Sequence, residues 1–340
     1  MSTTTTIKED AIPYLEFPSP NRNNPSRKQC LVFFITGNPG LASYYTPFLT
    51  HLRHLLDTLE SSNKAAYHIY TRNLLGFSDH DHSPPFGNTL PPSNLPTQPF
   101  TLEDQIISLT STLVSLNTPT PFTSCILIGH SVGAYIATEI FHRHHLTPLS
   151  ALLNLTSAIL LFPTLTHIAR SPSGQKLSFI ASQPLLNSYT HILAKSIINC
   201  LPTPIVSLIL SKIMKQPPHA LSTTLSFLQS QDGIWQAIHM GKDEMSTITE
   251  EKWSSDLWHL ADDTEHNGEK FYFYFAKKDH WVADEVRDAF IERREKDQNG
   301  RTKATICEEG VPHAFCIHHS ETVAEKAGVW IREITGSWTD

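Results

Sequence analysis

The chain is short of the features that mark several large protein classes. No uninterrupted apolar run reaches the roughly 20 residues of a membrane-spanning helix. Charged residues make up only 17% of the sequence, and the formal net charge is −7. No basic excess is there to hold a polyanion, which argues against a nucleic acid partner. The five cysteines (Cys30, Cys125, Cys200, Cys307 and Cys316) are odd in number and show no C-x-x-C spacing. They form neither a disulfide frame nor a zinc site, and are expected to be reduced, buried thiols of an intracellular protein. Residues 1–10 are polar and contain no apolar signal core, so secretion is not expected. Histidines number 19, but His80-Asp81-His82 and the group His142, His144 and His145 lack metal-ligand spacing. The chemistry read below needs no metal and no cofactor.

What is present is an alternation of strands and helices. The chain has 340 residues, 40% of them hydrophobic, enough to bury a large core. Continuous apolar runs predict buried strands at 30–36, 67–71, 124–128, 157–162, 270–276 and 303–307. Helical spacing predicts helices at 41–59, 101–116, directly after 131, at 283–296 and at 321–335. Thr101 and Asp104 form a capping-box signal for the second of these. This order predicts an α/β fold, a mostly parallel sheet with helices on both faces. Residues 1–28 are expected to be a loose polar lead-in. Residues 166–255 break the rhythm with helices, Ser, Thr and Pro. They are predicted to be a helical cap inserted between core segments 29–165 and 256–340.

The most informative stretch is 126–137, Ile-Leu-Ile-Gly-His-Ser-Val-Gly-Ala-Tyr-Ile-Ala. A buried strand runs into Gly-x-Ser-x-Gly and then into a small-residue helix, the context of a nucleophile elbow. Gly129 and Gly133 lack a Cβ, so strand and helix can approach closely around Ser131. A serine hydroxyl needs a base, and the base an orienting carboxylate. On such a sheet the three follow in chain order Ser, Asp/Glu, His. Ser131, Asp279 and His313 have that order, each just beyond a predicted strand. Asp262, Asp263 and Asp284 are rivals for the acid. The tetrahedral intermediate needs two N–H donors. Val132, at the head of the elbow helix, supplies one. The turn Gly37-Asn38-Pro39-Gly40 supplies the other, with Asn38 the better donor because Pro39 has no N–H. His130 is expected to pack beside the elbow and Cys316 to be a buried thiol.

Residues 33–48 (FFITGNPGLASYYTPF) and 127–136 (LIGHSVGAYI) resemble the lipid droplet-associated hydrolase family, within the α/β-hydrolase superfamily. The family phrase is P-G-N-P-G-x-x-x-Y-Y-x-x-F, and this chain has Thr36 in place of its first Pro. The length and proline-rich loops fit a fungal member. The resemblance runs from about residue 29 to the C-terminus and is poor over 166–255. It implies an α/β-hydrolase fold with Ser131 as nucleophile, Asp279 as acid and His313 as base. It also implies a lipid ester substrate, such as a sterol ester or acylglycerol, and a place on the cytosolic face of lipid droplets or endoplasmic reticulum.

The apolar stretch 191–215 meets itself at Pro202-Thr203-Pro204, with Lys195, Lys212 and Lys215 flanking or interrupting it. Two readings follow: a hairpin lying in a lipid monolayer with its lysines at head-group level, or a cap packed over the site. The expected activity is that of a serine esterase or lipase. The alternatives are a weakly active or non-catalytic lipid-droplet protein that binds or tethers, and an acyltransferase.

Overall fold

The apolar runs become the strands of one sheet. The computed structural model describes residues 6–7, 12–83, 85–87, 98–118, 120–147, 153–253, 257–258, 270–295 and 301–336. The strands are β1 (Tyr14–Phe17), β2 (Lys28–Ile35), β3 (Ala65–Arg72), β4 (Ser124–His130), β5 (Leu155–Leu161), β6 (Lys270–Ala276) and β7 (Thr302–Cys307). Their order across the seven-stranded sheet is β1-β3-β2-β4-β5-β6-β7. Within this sheet only β1 runs antiparallel to its neighbour and the other pairings are parallel; apart from it, Thr6–Ile7 pair antiparallel with His82–Ser83.

The expected loose lead-in is corrected by β1. Residues 14–17 pair with β3, and Tyr14 stacks on Tyr70 with ring centroids 5.5 Å apart. A four-residue edge strand between Pro13 and Pro18 buries one face only, so it carries no continuous apolar run. The helix predicted from residue 41 starts later as well. Ala42–Tyr45 form a 3₁₀ turn, and α1 covers Thr46–Ser62 with Pro47 in its first turn.

Helices cover both faces. They are α2 (Leu102–Leu116), α3 (Val132–Leu146), α4 (Pro172–Ala181), α5 (Pro184–Asn199), α6 (Thr203–Leu208), α7 (Pro218–Gln229), α8 (Gly233–Thr247), α9 (Asp284–Glu295) and α10 (Ser320–Thr335). The Thr101–Asp104 capping box forms in full. Along β6 the side chains alternate. Phe273 and Phe275 pack on Phe290 of α9, whereas Tyr272 and Tyr274 pack on Trp330 of α10. α10 lies against α1 on that second face, and α2 against α3.

Helices α4 to α8 lie between β5 and β6, the span expected to form the cap. Two expectations are corrected here. Lys195 does not reach for head groups: its ammonium donates to the carbonyls of Leu228 and Ser230, at the C-terminal end of α7. Cys200, at the end of α5, is exposed, while Cys30, Cys125, Cys307 and Cys316 are buried; all five are free thiols.

The His80-Asp81-His82 cluster turns out to fasten cap to core. His82 Nδ1 meets Asp81 Oδ1 at 2.5 Å, and its Nε2 meets Asp232 Oδ2, just before α8, at 2.9 Å. Asp81, His82 and Asp232 are all buried, whereas His80 is exposed. Burial opposes the charged ring, but the Asp232 and Asp81 carboxylates outweigh it and push the His82 pKa up to about 9. A raised histidine pKa contributes stability that is complete below the unfolded value near 6.5 and lost as pH rises through about 9. The melting temperature of the wild type should therefore exceed that of His82→Gln most at pH 6, with the gap closing above pH 9. A gap of equal size at pH 6 and pH 10 would refute this role.

Candidate active site

The site is built where β4 turns into α3. Ser131 has φ 56° and ψ −123°, a left-handed conformation costly for a residue with a side chain. The turn is held by the Ser131 N–H donating to Leu161 O at 3.0 Å. A Cβ on Gly129 would strike the Gly133 carbonyl, and one on Gly133 the Ile35 carbonyl. Both glycines are thus required by close backbone approach, as their spacing implies.

The turn presents Ser131 Oγ to His313, 2.8 Å from Nε2. His313 Nδ1 lies 2.8 Å from Asp279 Oδ2. The Asp279 side chain is 3% exposed, and its Oδ1 accepts the Trp281 N–H at 2.7 Å. Asp279 follows β6 and His313 follows β7, so residues up to 182 positions apart meet in one hydrogen-bonded chain. Of the rival carboxylates, Asp284 heads α9 and pairs with Arg287 at 3.0 Å. Asp262 and Asp263 lie outside the described residues.

His130 does more than pack beside the elbow. The Gly37 N–H donates to Tyr45 Oη at 3.1 Å, so the Tyr45 hydroxyl is left to donate to His130 Nδ1, 2.7 Å away. His130 Nε2–H then donates to His313 O at 2.9 Å. Burial drives the His130 pKa well below its ordinary value, and the nearby His313 adds to this; the ring is neutral, as this tautomer requires. The result is a buried strut from the Gly37 turn to the backbone of His313. Nothing in the spacing of Tyr45, His130 and His313 announces it.

Asn38 borders the same space. Its Nδ2 donates to Ala237 O and to Glu244 Oε1, both at 3.0 Å, and both acceptors belong to α8. Val132 follows Ser131 as the first residue of α3, where the helix leaves N–H groups without intrahelical partners. Glu244 escaped the sequence reading because it ends the charged run Lys242-Asp243-Glu244, which resembles a solvated face. A signal was present: Ile234, Gly241, Glu244 and Ile248 share one helical stripe, and Glu244 is buried. Burial pushes its pKa up to about 8, against the bond from Asn38. Cys316 is also buried, which pushes its thiol up to about 12 and leaves it unreactive at neutral pH.

These groups line a cavity of about 410 Å³ that includes Asn38, Ser131, Phe227, Glu244, Trp281 and His313. Cap and core both contribute to it. Among the described residues no lysine or arginine lines it, and no three His, Cys, Asp or Glu side chains cluster as a metal site. A hydroxyl hydrogen-bonded to an imidazole that a carboxylate orients is an arrangement suited to attack on a carbonyl carbon.

Residues 28–316 match the model of the family described as lipid-droplet associated hydrolase. The lipid droplet-associated hydrolase of Mus musculus is 27% identical over 318 residues, which is 91% of this chain and 87% of that protein. Among solved structures, the peroxisomal alpha-beta-hydrolase of Saccharomyces cerevisiae superposes with a TM-score of 0.59 at 14% identity, over 95% of this chain and 81% of that one. A carboxylesterase of the thaumarchaeon Nitrososphaera gargenis gives a TM-score of 0.54 at 14% identity, over 96% of each chain. At such identities the likeness carries the fold alone, and the fold is that of the α/β-hydrolases. The family match spans residues 28–316, from the start of β2 past His313. On that ground the chain belongs to the lipid droplet-associated hydrolase family, and it is a hydrolase.

Proposed function

We propose that the protein is a serine hydrolase that cleaves a lipid acyl ester, such as a sterol ester or acylglycerol, at the surface of a lipid droplet. Ser131 Oγ attacks the ester carbonyl carbon while His313 Nε2 takes its proton, and Asp279 holds the imidazole and stabilises its charged form. The N–H groups of Val132 and Asn38 receive the oxyanion. His313 then returns the proton to the departing alcohol, leaving an acyl-enzyme. Water, deprotonated by His313, attacks that acyl carbon; Ser131 leaves and recovers its proton, and the fatty acid is released. The hydrogen-bonded chain from Ser131 to Asp279 supports the nucleophilic part of this reading.

The lipid part rests on one residue. Met214 is 56% exposed and also lines the cavity that holds Ser131. It ends a run of exposed apolar side chains that includes Ile192, Ile197, Ile205, Leu208 and Ile213. The segments Tyr189–Asn199 and Thr203–Ile213 meet at 96°, and among the described residues no single helix is long and apolar enough to cross a membrane. A bent apolar ridge of this kind suits shallow burial in a phospholipid monolayer. The cavity mouth then opens at the lipid. A lining without lysine or arginine favours a neutral ester over an anionic one. The lipid droplet in the names of the relatives agrees with that address.

The experiment uses three full-length proteins, a fluorophosphonate probe and phospholipid-coated triacylglycerol emulsion. The wild type should be labelled at Ser131 and float with the emulsion. Ser131→Ala should float but take no label. Ile205→Asp/Leu208→Asp should be labelled by soluble probe but stay in the aqueous phase. A wild type that binds no probe, with or without emulsion, would count against the enzyme. Flotation unchanged by the double substitution would remove the ridge from lipid docking.

A further inference from the structure

The scheme above leaves one carboxyl in the cavity unused. Glu244 is 5% exposed and contributes to the cavity wall from the cap, as Ser131 and His313 do from the core. Among the described residues, Asn38 Nδ2 is the only hydrogen-bond partner of that carboxyl. The turn that carries Asn38 is anchored unevenly. At one end the Gly37 N–H is held by Tyr45 Oη at 3.1 Å, and at the other Gly40 O accepts the Leu74 N–H at 2.9 Å. Both anchors belong to the core. The Asn38 side chain, in the middle, is held from the cap, by Glu244 Oε1 and Ala237 O.

We propose that Glu244 is a positioning residue: through the Asn38 side chain it sets the turn that offers an N–H to the oxyanion, so turnover requires a seated cap. This rests on the serine-hydrolase reading and adds the cap to the oxyanion site. When the cap lifts, both acceptors leave Asn38 and the middle of the turn loses its orientation. When it seats, the donor returns, and site assembly is coupled to closure. A raised pKa suits the role, because a carboxyl neutral at pH 7 places no negative charge beside the developing oxyanion.

The test is steady-state hydrolysis of p-nitrophenyl butyrate by the full chain, with a thermal melt of every variant. Glu244→Ala removes the acceptor, and Glu244→Gln keeps an oxygen for Asn38. Asn38→Ala breaks the same bond from the other side and does not depend on how well Glu244→Ala folds. Asp79→Ala is the control: Asp79 Oδ2 accepts the Gln231 N–H at 2.8 Å, just before α8, and joins the cap to the core without touching Asn38 or Glu244. Glu244→Ala and Asn38→Ala should each lower kcat about 10- to 100-fold, with KM within about threefold. The double variant should be no slower than the worse single, as for two residues acting as one unit. Glu244→Gln should return kcat to within about threefold of wild type, and Asp79→Ala should lower the melting temperature with kcat nearly unchanged. Wild-type kcat in Glu244→Ala or Asn38→Ala would overturn the inference alone. So would an equal loss in Asp79→Ala, or no rescue by glutamine. A wild type without turnover and without probe labelling at Ser131 would overturn the serine-hydrolase reading and this inference with it.

Discussion

Asp279→Asn should lower kcat for ester hydrolysis by about 10³- to 10⁴-fold, with KM within about threefold. The reason lies in which atoms face each other. Asp279 Oδ2 stands 2.8 Å from His313 Nδ1, while Oδ1 is occupied by the Trp281 N–H. That second bond fixes the amide of an introduced asparagine: its oxygen takes the Trp281 N–H, and its NH₂ group faces His313. The imidazole must then accept at Nδ1 and carry its proton on Nε2, so it presents a hydrogen to Ser131 in place of a lone pair. The serine proton has no acceptor, and the imidazolium formed during attack has no counter-charge. KM is little affected because Asp279 does not line the cavity. Asp284→Asn serves as control, since Asp284 is engaged with Arg287, and should leave kcat within about twofold. Equal losses in the two variants, or a loss below tenfold in Asp279→Asn, would take Asp279 out of the proposed chain.

The second large effect is on folding. Gly129→Ala and Gly133→Ala should each destabilise the protein by about 4 kcal/mol or more, the range reserved for substitutions the backbone cannot absorb. At both positions the added Cβ would approach main-chain atoms of a neighbouring element closer than any real Cβ does. At Gly129 the obstruction is the first turn of α3, and at Gly133 it is the end of β2. Neither can yield separately, because β2, β4 and α3 fix one another around the elbow. Gly336→Ala is the reference: a Cβ there meets nothing within 4 Å, and its cost should stay within about 0.5 kcal/mol. Denaturant midpoints and soluble yield measure the difference. An elbow alanine variant as stable as Gly336→Ala would refute the close backbone approach at the turn.

These two expectations show what the sequence carries and what it does not. The central strands were legible because a strand buried on both faces must be apolar throughout, as Leu31–Ile35 and Ile126–Ile128 are. β1 was not, because an edge strand needs apolar residues on one face only, and Leu15 and Phe17 alternate with Tyr14 and Glu16. The meeting of Ser131, Asp279 and His313 was legible for a topological reason: each follows a strand, and strand ends of a parallel sheet converge on one rim. Tyr45 and His130 left no mark, since their bond depends on where a 3₁₀ turn sets a phenol against the elbow. Lys195 misled for a related reason. A lysine beside an apolar ridge is read as reaching outward, and the neighbour that claims it, the end of α7, is more than 30 residues away in sequence.

Met214 belongs both to the outer ridge and to the inner wall. If substrate enters there, it passes from lipid to enzyme without crossing water. The quantity that governs turnover is then the mole fraction of ester in the surface film, not its amount per volume of solution. Spreading the same ester among inert phospholipid would slow the enzyme while bulk concentration stays constant. A droplet swollen with neutral ester would speed it, so the composition of the film sets the rate.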